Sequence, residues 1–237
     1  AQAESEAVSR TKDNLLAVVR HEMKTPLSAI IGFTKLAVEA QASGDVATLR
    51  EHLDFVRQSG ERLLASFTDM STYSDFISHR VPFEPERTPP SWIIAEVLDH
   101  RARKVAARGI ALTTEEGCRD AFIAADQHLL SSALVRLVDN ALAHATDMTR
   151  IELIHRLGQD GRVEFIVRDD GAGMPPERIA GCLAPFTQDN MSLSRSSEGL
   201  GLGLPISVEI ARLHGGTLTM QSEPGKGTEV VIAIPRI

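Results

Sequence analysis

The chain has 237 residues, 43% of them hydrophobic and 24% charged, with a formal net charge of −7. This is the composition of a globular protein of one or two domains with a real core, and the negative balance argues against a general binder of nucleic acid or of an anionic membrane. No run of about 18 apolar residues occurs, so nothing reads as a membrane span. The two cysteines, Cys118 and Cys182, lie far apart, match no metal spacing and suit a reducing, cytoplasmic setting. The chain begins at Ala1 rather than Met and shows no signal peptide, as expected of a piece of a longer protein.

The first stretch predicts two long helices. Leu16, Val19, Met23, Pro26, Ile30, Phe33 and Ala37 recur at alternating spacings of three and four, a heptad seam. Val46, Leu49, Leu53, Val56, Gly60, Leu63, Phe67 and Met70 repeat it, and Ser43-Gly44-Asp45 supplies a helix stop and an N-cap between them. Leu15, Leu27, Leu36, Phe55 and Leu64 widen the apolar stripe beyond what two helices can bury. A second copy would complete a four-helix bundle, so residues 1–80 are expected to form a helical hairpin that dimerises.

Pro82, Pro85, Pro89 and Pro90 interrupt any helix, and residues 81–90 read as a linker. Residues 91–237 mix periods. Helices are expected near Ser91–Arg108, Asp126–Ala145 and Pro205–His214. Strands are expected at Ile110–Thr114, Phe122–Ala124, Arg150–Leu157, Val163–Arg168, Thr217–Ser222 and Thr228–Ile234, the last two as a hairpin around Glu223-Pro224-Gly225-Lys226-Gly227. The pattern predicts an α/β sandwich. Residues 181–199, rich in Ser, Gly and Asn, read as a mobile loop.

Four segments carry chemistry. With Leu16 and Met23 at heptad position a, His21 falls at f, the most solvent-facing position. A surface histidine alone is usually only solvated, but Glu22 beside it could orient the ring or take its proton. Thr25 lies one turn on along the same face, where its hydroxyl could position a water, and Pro26 interrupts the helix beside them. Asp169-Asp170-Gly171-Ala172-Gly173 closes an apolar strand. A carboxylate there can accept from an adenine amino group, and glycines let backbone approach the ring; a plain glycine turn is the alternative. Gly199, Gly201 and Gly203 open a helix, which makes either a phosphate site from free N–H groups or a hinge. Asp139 and Asn140 break an otherwise buried helical pattern. The Asn140 amide oxygen suits Mg²⁺ shared with phosphates, or else a polar residue hydrogen-bonded in the core.

In this order the motifs resemble the cytoplasmic core of bacterial sensor histidine kinases. Arg20-His21-Glu22-Met23-Lys24-Thr25-Pro26-Leu27 resembles the H box, Asp139-Asn140-Ala141 the end of the N box and Asp169–Gly173 the G1 box. Ala184-Pro185-Phe186-Thr187-Gln188 resembles the F box, Gly199–Gly203 the G2 box, and Gly225-Lys226-Gly227-Thr228 the closing strand turn. The resemblance covers nearly the whole chain. It implies ATP-dependent autophosphorylation of His21 by a homodimer and transfer to an aspartate of a response regulator. It also implies an ATP-binding sandwich of the gyrase, Hsp90 and histidine kinase type.

By the same resemblance Glu22 is the acid/base neighbour of His21, and Thr25 serves dephosphorylation of the partner. Asn140 holds Mg²⁺ and Asp169 takes the adenine. Asp139, His144, Gly171, Gly173, Phe186, Arg195, Gly199, Gly201, Gly203 and Thr228 complete the ATP site, with 186–199 as its lid. No nucleic acid and no membrane contact by this fragment are implied, although the full-length protein could be a membrane-bound sensor. Three positions depart from the family pattern: Arg136 stands where a second asparagine is usual, Ala143 where a basic residue is usual, and Glu198 where a glycine is usual. Phosphate contact is therefore expected to lean on His144 and Arg195.

Overall fold

The computed structural model describes residues 2–118, 120–144, 147–186 and 200–237, with side chains from Val19 onward. The chain divides into two compact units, Ala1–Ser74 and Asp75–Ile237. Among the described residues no helix is long and apolar enough to cross a membrane.

The first unit is the expected hairpin. Helix α1 spans Gln2–Ser43 and α2 spans Val46–Ile77. Gly44 makes the turn at φ 76°, a left-handed conformation that costs a glycine little. Asp45 caps α2, accepting from the Thr48 N–H at 3.1 Å and from its hydroxyl at 2.7 Å. Phe33 stacks on Phe55 with centroids 4.5 Å apart, while Ala37, Ala40 and Ser59 are buried. The seam expected on α2 divides. Leu49, Val56, Leu63 and Met70 are half-buried, whereas Val46, Leu53 and Phe67 stand exposed. Two antiparallel helices touch along one stripe, and the neighbouring stripe is left over.

The second unit is a two-layer sandwich. A five-stranded sheet runs in the order β2-β4-β5-β7-β6, from β2 (Ala111–Glu116), β4 (Arg150–Leu157), β5 (Val163–Asp169), β6 (Thr217–Glu223) and β7 (Gly227–Ile234). Only β2 and β4 are parallel; every other pairing is antiparallel. Register puts Ile151, Leu153, Val163, Phe165, Val167, Val230, Ile232 and Ile234 on one face, all buried. The opposite face carries ion pairs: Arg168 with Glu229 and Glu152, and Arg156 with Glu164. Helices α3 (Pro90–Ala106), α4 (Gln127–Ala143) and α6 (Gly203–Leu213) supply the second layer, α4 packing on both α3 and α6. α4 starts where Asp126 accepts from the Leu129 N–H at 3.1 Å, and it buries Leu130, Leu134, Leu137 and Val138.

Two expectations need correction. Residues 86–90 are not linker. β1 (Glu86–Thr88) pairs antiparallel with β3 (Ile123–Ala125), and the buried Thr88 hydroxyl donates to the Ala125 carbonyl at 3.3 Å. Pro89 and Pro90 do not merely break structure. They form the N-cap and first position of α3, where a missing N–H is harmless. The stretch read as loop from 181 also begins inside a helix, α5 (Pro176–Leu183), opened by Pro175-Pro176 and buried nowhere along its length.

Candidate functional site

The first unit presents His21. Its side chain is 78% exposed, and its Nδ1 lies 3.2 Å from a carboxylate oxygen of Glu22, which is itself mostly covered. When Nδ1 holds the proton and donates it to Glu22, the Nε2 lone pair points free toward solvent. The Thr25 hydroxyl is engaged, donating to the His21 carbonyl at 3.2 Å. α1 continues through Pro26, whose ring nitrogen cannot bond the carbonyl four residues back, that of Glu22. The three residues expected to act together are thus neighbours on one helical turn.

The second unit brings Asp169, Gly171 and Thr228 together at one end of the sheet, with His144 near enough to act on the acid. Asp169 ends β5, half-buried, on the helix-covered face. Its Oδ1 accepts from the Gly171 N–H at 3.0 Å and the Thr228 N–H at 3.2 Å, while Oδ2 carries no hydrogen bond from the described residues. Burial raises its pKa most, and the charge of Asp170 adds to this; the two N–H donors and His144 pull the other way without cancelling it. The second acid of the pair does structural work. Asp170 accepts from the N–H groups of Thr149 and Arg150, both at 2.9 Å, and ties the loop to the start of β4.

The glycines divide by role. Gly173 and Gly227 have φ of 60° and 86°, and a Cβ there would lie 2.0 Å from the Glu223 carbonyl oxygen and 1.9 Å from that of Asp169. Their close approach is therefore to the β6–β7 hairpin and the end of β5, so they lock the loop rather than open space beside a ligand. Gly171 is buried against Asp169. Gly201 has φ 64°, and Gly203 begins α6. Pro205 lies in the first turn of α6 and no side chain caps it, so the Gly203 and Leu204 N–H groups lack an intrahelical partner. Phe186, half-buried at φ 61°, marks the last described residue before this point. Arg195 and Gly199 lie outside the described residues.

On α4, Asn140 and Asp139 part company. The Asn140 carboxamide is half-exposed and holds no hydrogen bond among the described residues. Asp139, one residue earlier, faces α3. Arg101 grips it through Nε to Oδ1 at 3.0 Å and Nη2 to Oδ2 at 2.7 Å, and Lys104 adds 2.7 Å to Oδ1. Burial pushes its pKa up, but these hydrogen bonds and charges outweigh it, and the net shift is downward. Both carboxylate oxygens are thus engaged by side chains of α3. His144 ends α4. The protein around it, then the positive charge of Arg178 on α5, hold its imidazole below the ordinary range, with Asp169 opposing.

Sequence reasoning missed Arg178, Arg101, Lys104 and Ser222. Ser222 is buried, and its Oγ lies 2.9 Å from each of the Met174 N–H, the Gly227 carbonyl and the Thr228 hydroxyl. Only the register of the closing hairpin could have pointed to it.

Residues 11–78 match the His Kinase A (phospho-acceptor) domain, and residues 125–237 match the histidine kinase-, DNA gyrase B- and HSP90-like ATPase family. An uncharacterized sensor-like histidine kinase of Rhizobium meliloti strain 1021 is 32% identical over 98% of this chain and 44% of its own length. The signal transduction histidine-protein kinase BarA of Escherichia coli K12 is 28% identical over 96% of this chain and 25% of its own. This chain thus spans less than half the length of these curated relatives. A crystal structure of histidine kinase ThkA with response regulator protein TrrA shares the fold at a TM-score of 0.70 and 21% identity, over 100% of this chain and 66% of that one. An exposed histidine on a helical hairpin and an acid-ended strand in an ATPase sandwich, each matched to its own domain family in the same chain, make this protein a member of the two-component sensor histidine kinases.

Proposed function

We propose that this chain is a homodimeric protein histidine kinase that phosphorylates itself on His21 from ATP and passes the phosphoryl group to an aspartate of a response regulator. The observation that carries the reading is the state of His21: exposed, with Nδ1 against Glu22 and Nε2 open. Nε2 attacks the γ-phosphorus, an N–P bond forms, and the bond to the β–γ bridging oxygen breaks to release ADP. Positive charge develops on the ring as the lone pair is spent. Glu22 sits where that charge appears, and it stabilises the ring or takes the Nδ1 proton. Exposure suits a group that must meet both a nucleotide and a receiver aspartate.

Asp169 Oδ2 takes the adenine amino group, and the N–H groups at the start of α6, without a partner among the described residues, face phosphate oxygens. A magnesium ion fits Asn140, whose half-exposed carboxamide has no other partner among the described residues. No cluster of three His, Cys, Asp or Glu among those residues could hold a metal unaided, so the phosphates would supply most of its ligands. Such an ion, when bound, neutralises phosphate charge. Asp139 braces α4 on α3 and so holds Asn140 in place. The second copy covers Leu53, Phe67 and the other exposed apolar residues of the hairpin.

Incubation with γ-labelled ATP and Mg²⁺ tests the reading. The product should be acid-labile and alkali-stable, and His21→Ala should incorporate no label. Label at the wild-type level in His21→Ala would overturn it.

A further inference from the structure

Asp169, Thr228 and Ser222 form one row across three strands. Register pairs Asp169 of β5 with Thr228 of β7, and Thr228 with Ser222 of β6. Directly paired residues of antiparallel strands put their side chains on the same face, with Cβ atoms about 5 Å apart. The acid and the two hydroxyls therefore stand side by side at the end of the helix-covered face.

The hydrogen positions in this row follow from counting donors. Ser222 has one proton and two lone pairs. The Met174 N–H can only donate, so it takes a lone pair of Ser222 Oγ at 2.9 Å. The Gly227 carbonyl can only accept, so the single Ser222 proton goes to it, also at 2.9 Å. Thr228 Oγ1, 2.9 Å away, must then give its own proton to Ser222. With its proton committed, Thr228 can only accept from anything on its open side. Asp169 Oδ2, which has no partner among the described residues, accepts as well.

We infer that Ser222 is a specificity-determining residue: by consuming the Thr228 proton it leaves Asp169 and Thr228 as two acceptors, a site for an amino group that rejects an oxo group. This rests on the reading that Asp169 takes the nucleotide base. An adenine amino group offers two N–H donors to two acceptors. A 6-oxopurine sets a carbonyl oxygen against them, and Thr228 cannot turn to donate while Ser222 holds its proton. An unmatched buried polar group is what makes such rejection strong.

Calorimetry of the full chain with ADP and with inosine diphosphate tests this. The two ligands differ only along one edge of the base, the six-position and the adjoining N1 (an acceptor in adenine, an N–H donor in the 6-oxopurine), and need no turnover. Ser222→Ala frees the Thr228 hydroxyl to rotate and donate, and should narrow the preference for ADP by about fivefold, the worth of one hydrogen bond. Thr228→Val removes the hydroxyl while keeping its shape and should narrow the preference similarly. Adding Ser222→Ala to Thr228→Val should then narrow it no further. If Ser222→Ala weakens both ligands equally, the serine merely anchors the loop at Met174 and the inference falls. It falls too if Thr228→Val keeps the wild-type ratio, which decides the matter even should Ser222→Ala fail to fold by its melting curve. Asp169→Asn separates the two levels of the argument. A wild-type ratio in that variant removes the base from Asp169 altogether; a lost ratio there with an intact one in Ser222→Ala removes only the role of Ser222.

Discussion

The two units bury their apolar residues differently. The sandwich closes its own core: Ile93, Leu134, Phe165 and Ile232 are inaccessible within one chain. The hairpin does not, and Leu27, Leu53 and Phe67 remain 50%, 51% and 61% exposed. Helix–sheet layering surrounds a side chain on all sides, whereas two helices can only face each other along a line. The sandwich is a finished domain, and the hairpin is half of one.

The largest effect expected is on the finished core. Phe165→Ala should cost about 3–5 kcal/mol, the usual penalty for emptying a buried aromatic site. In a thermal scan of the full chain the sandwich transition should fall steeply and to the same extent at every protein concentration. Concentration dependence of that transition would mean the sandwich also relies on a second copy.

A smaller effect separates the two halves of the comparison. Leu53→Glu places a charge on the left-over stripe of α2 and should convert dimer to monomer in light scattering at micromolar concentration. Leu63→Glu strikes the stripe that faces α1 and should lower the helical signal itself. A wild-type dimer in Leu53→Glu would place the partner elsewhere on the hairpin.

How much of this was legible follows the same division. Alternation of Val163, Phe165 and Val167 announced β5 and its register, because a half-buried strand writes period two directly into its residues. The heptads announced both long helices, but not which of two adjacent stripes each apolar residue would serve. β1 was hidden because three residues, two of them charged, flanked by prolines carry no periodic signal; its partner β3 lies 37 residues away. α5 does carry a short apolar period, Ile179, Cys182 and Leu183, with Pro176 at its start and Glu177 in its first turn as start signals, but at eight residues it was too short to stand out beside the Ser-, Gly- and Asn-rich stretch that follows. At the site, Asp169 and the glycines could be read as motif letters. Asp139 could not be told from Asn140, since only the 100° turn between successive helix positions sends it to Arg101 instead. Ser222 has no motif value until β6 is set in register beside β7.

The sandwich should also betray its pocket through pH. The raised pKa of Asp169 means that its protonated form appears at higher pH than in an exposed aspartate, near 4 by the usual scale. ATP binding to the carboxylate should therefore weaken on acidification beginning above about pH 4. The empty domain should move oppositely. A raised folded-state pKa makes ionisation of Asp169 oppose folding, and that opposition is relieved as pH falls through the raised value. Asp169→Asn should lose both trends. Equal pH dependence of ATP affinity in wild type and Asp169→Asn would assign the titration to another group.

The smallest structural effect is expected on the hairpin, at Thr25. Its hydroxyl is exposed and bonds the His21 carbonyl, one turn back on the same helix. Such a bond duplicates an acceptor already used by the helix and favours it weakly. Thr25→Ala should therefore change the melting temperature little and leave label transfer from ATP to His21 intact, because neither Glu22 nor Nε2 depends on it. Dephosphorylation of a bound response regulator is a different demand. The hydroxyl would turn from the carbonyl to orient a water in line with the phosphoryl-aspartate, at the cost of one weak bond. On that account Thr25→Ala loses most phosphatase activity and keeps the kinase, and Thr25→Ser, which retains the hydroxyl, restores much of it. If Thr25 only steadies the helix before Pro26, the alanine variant should instead melt lower and lose both activities in proportion. Measuring the two rates and the melting curve on the same two variants decides between a working hydroxyl and a structural one.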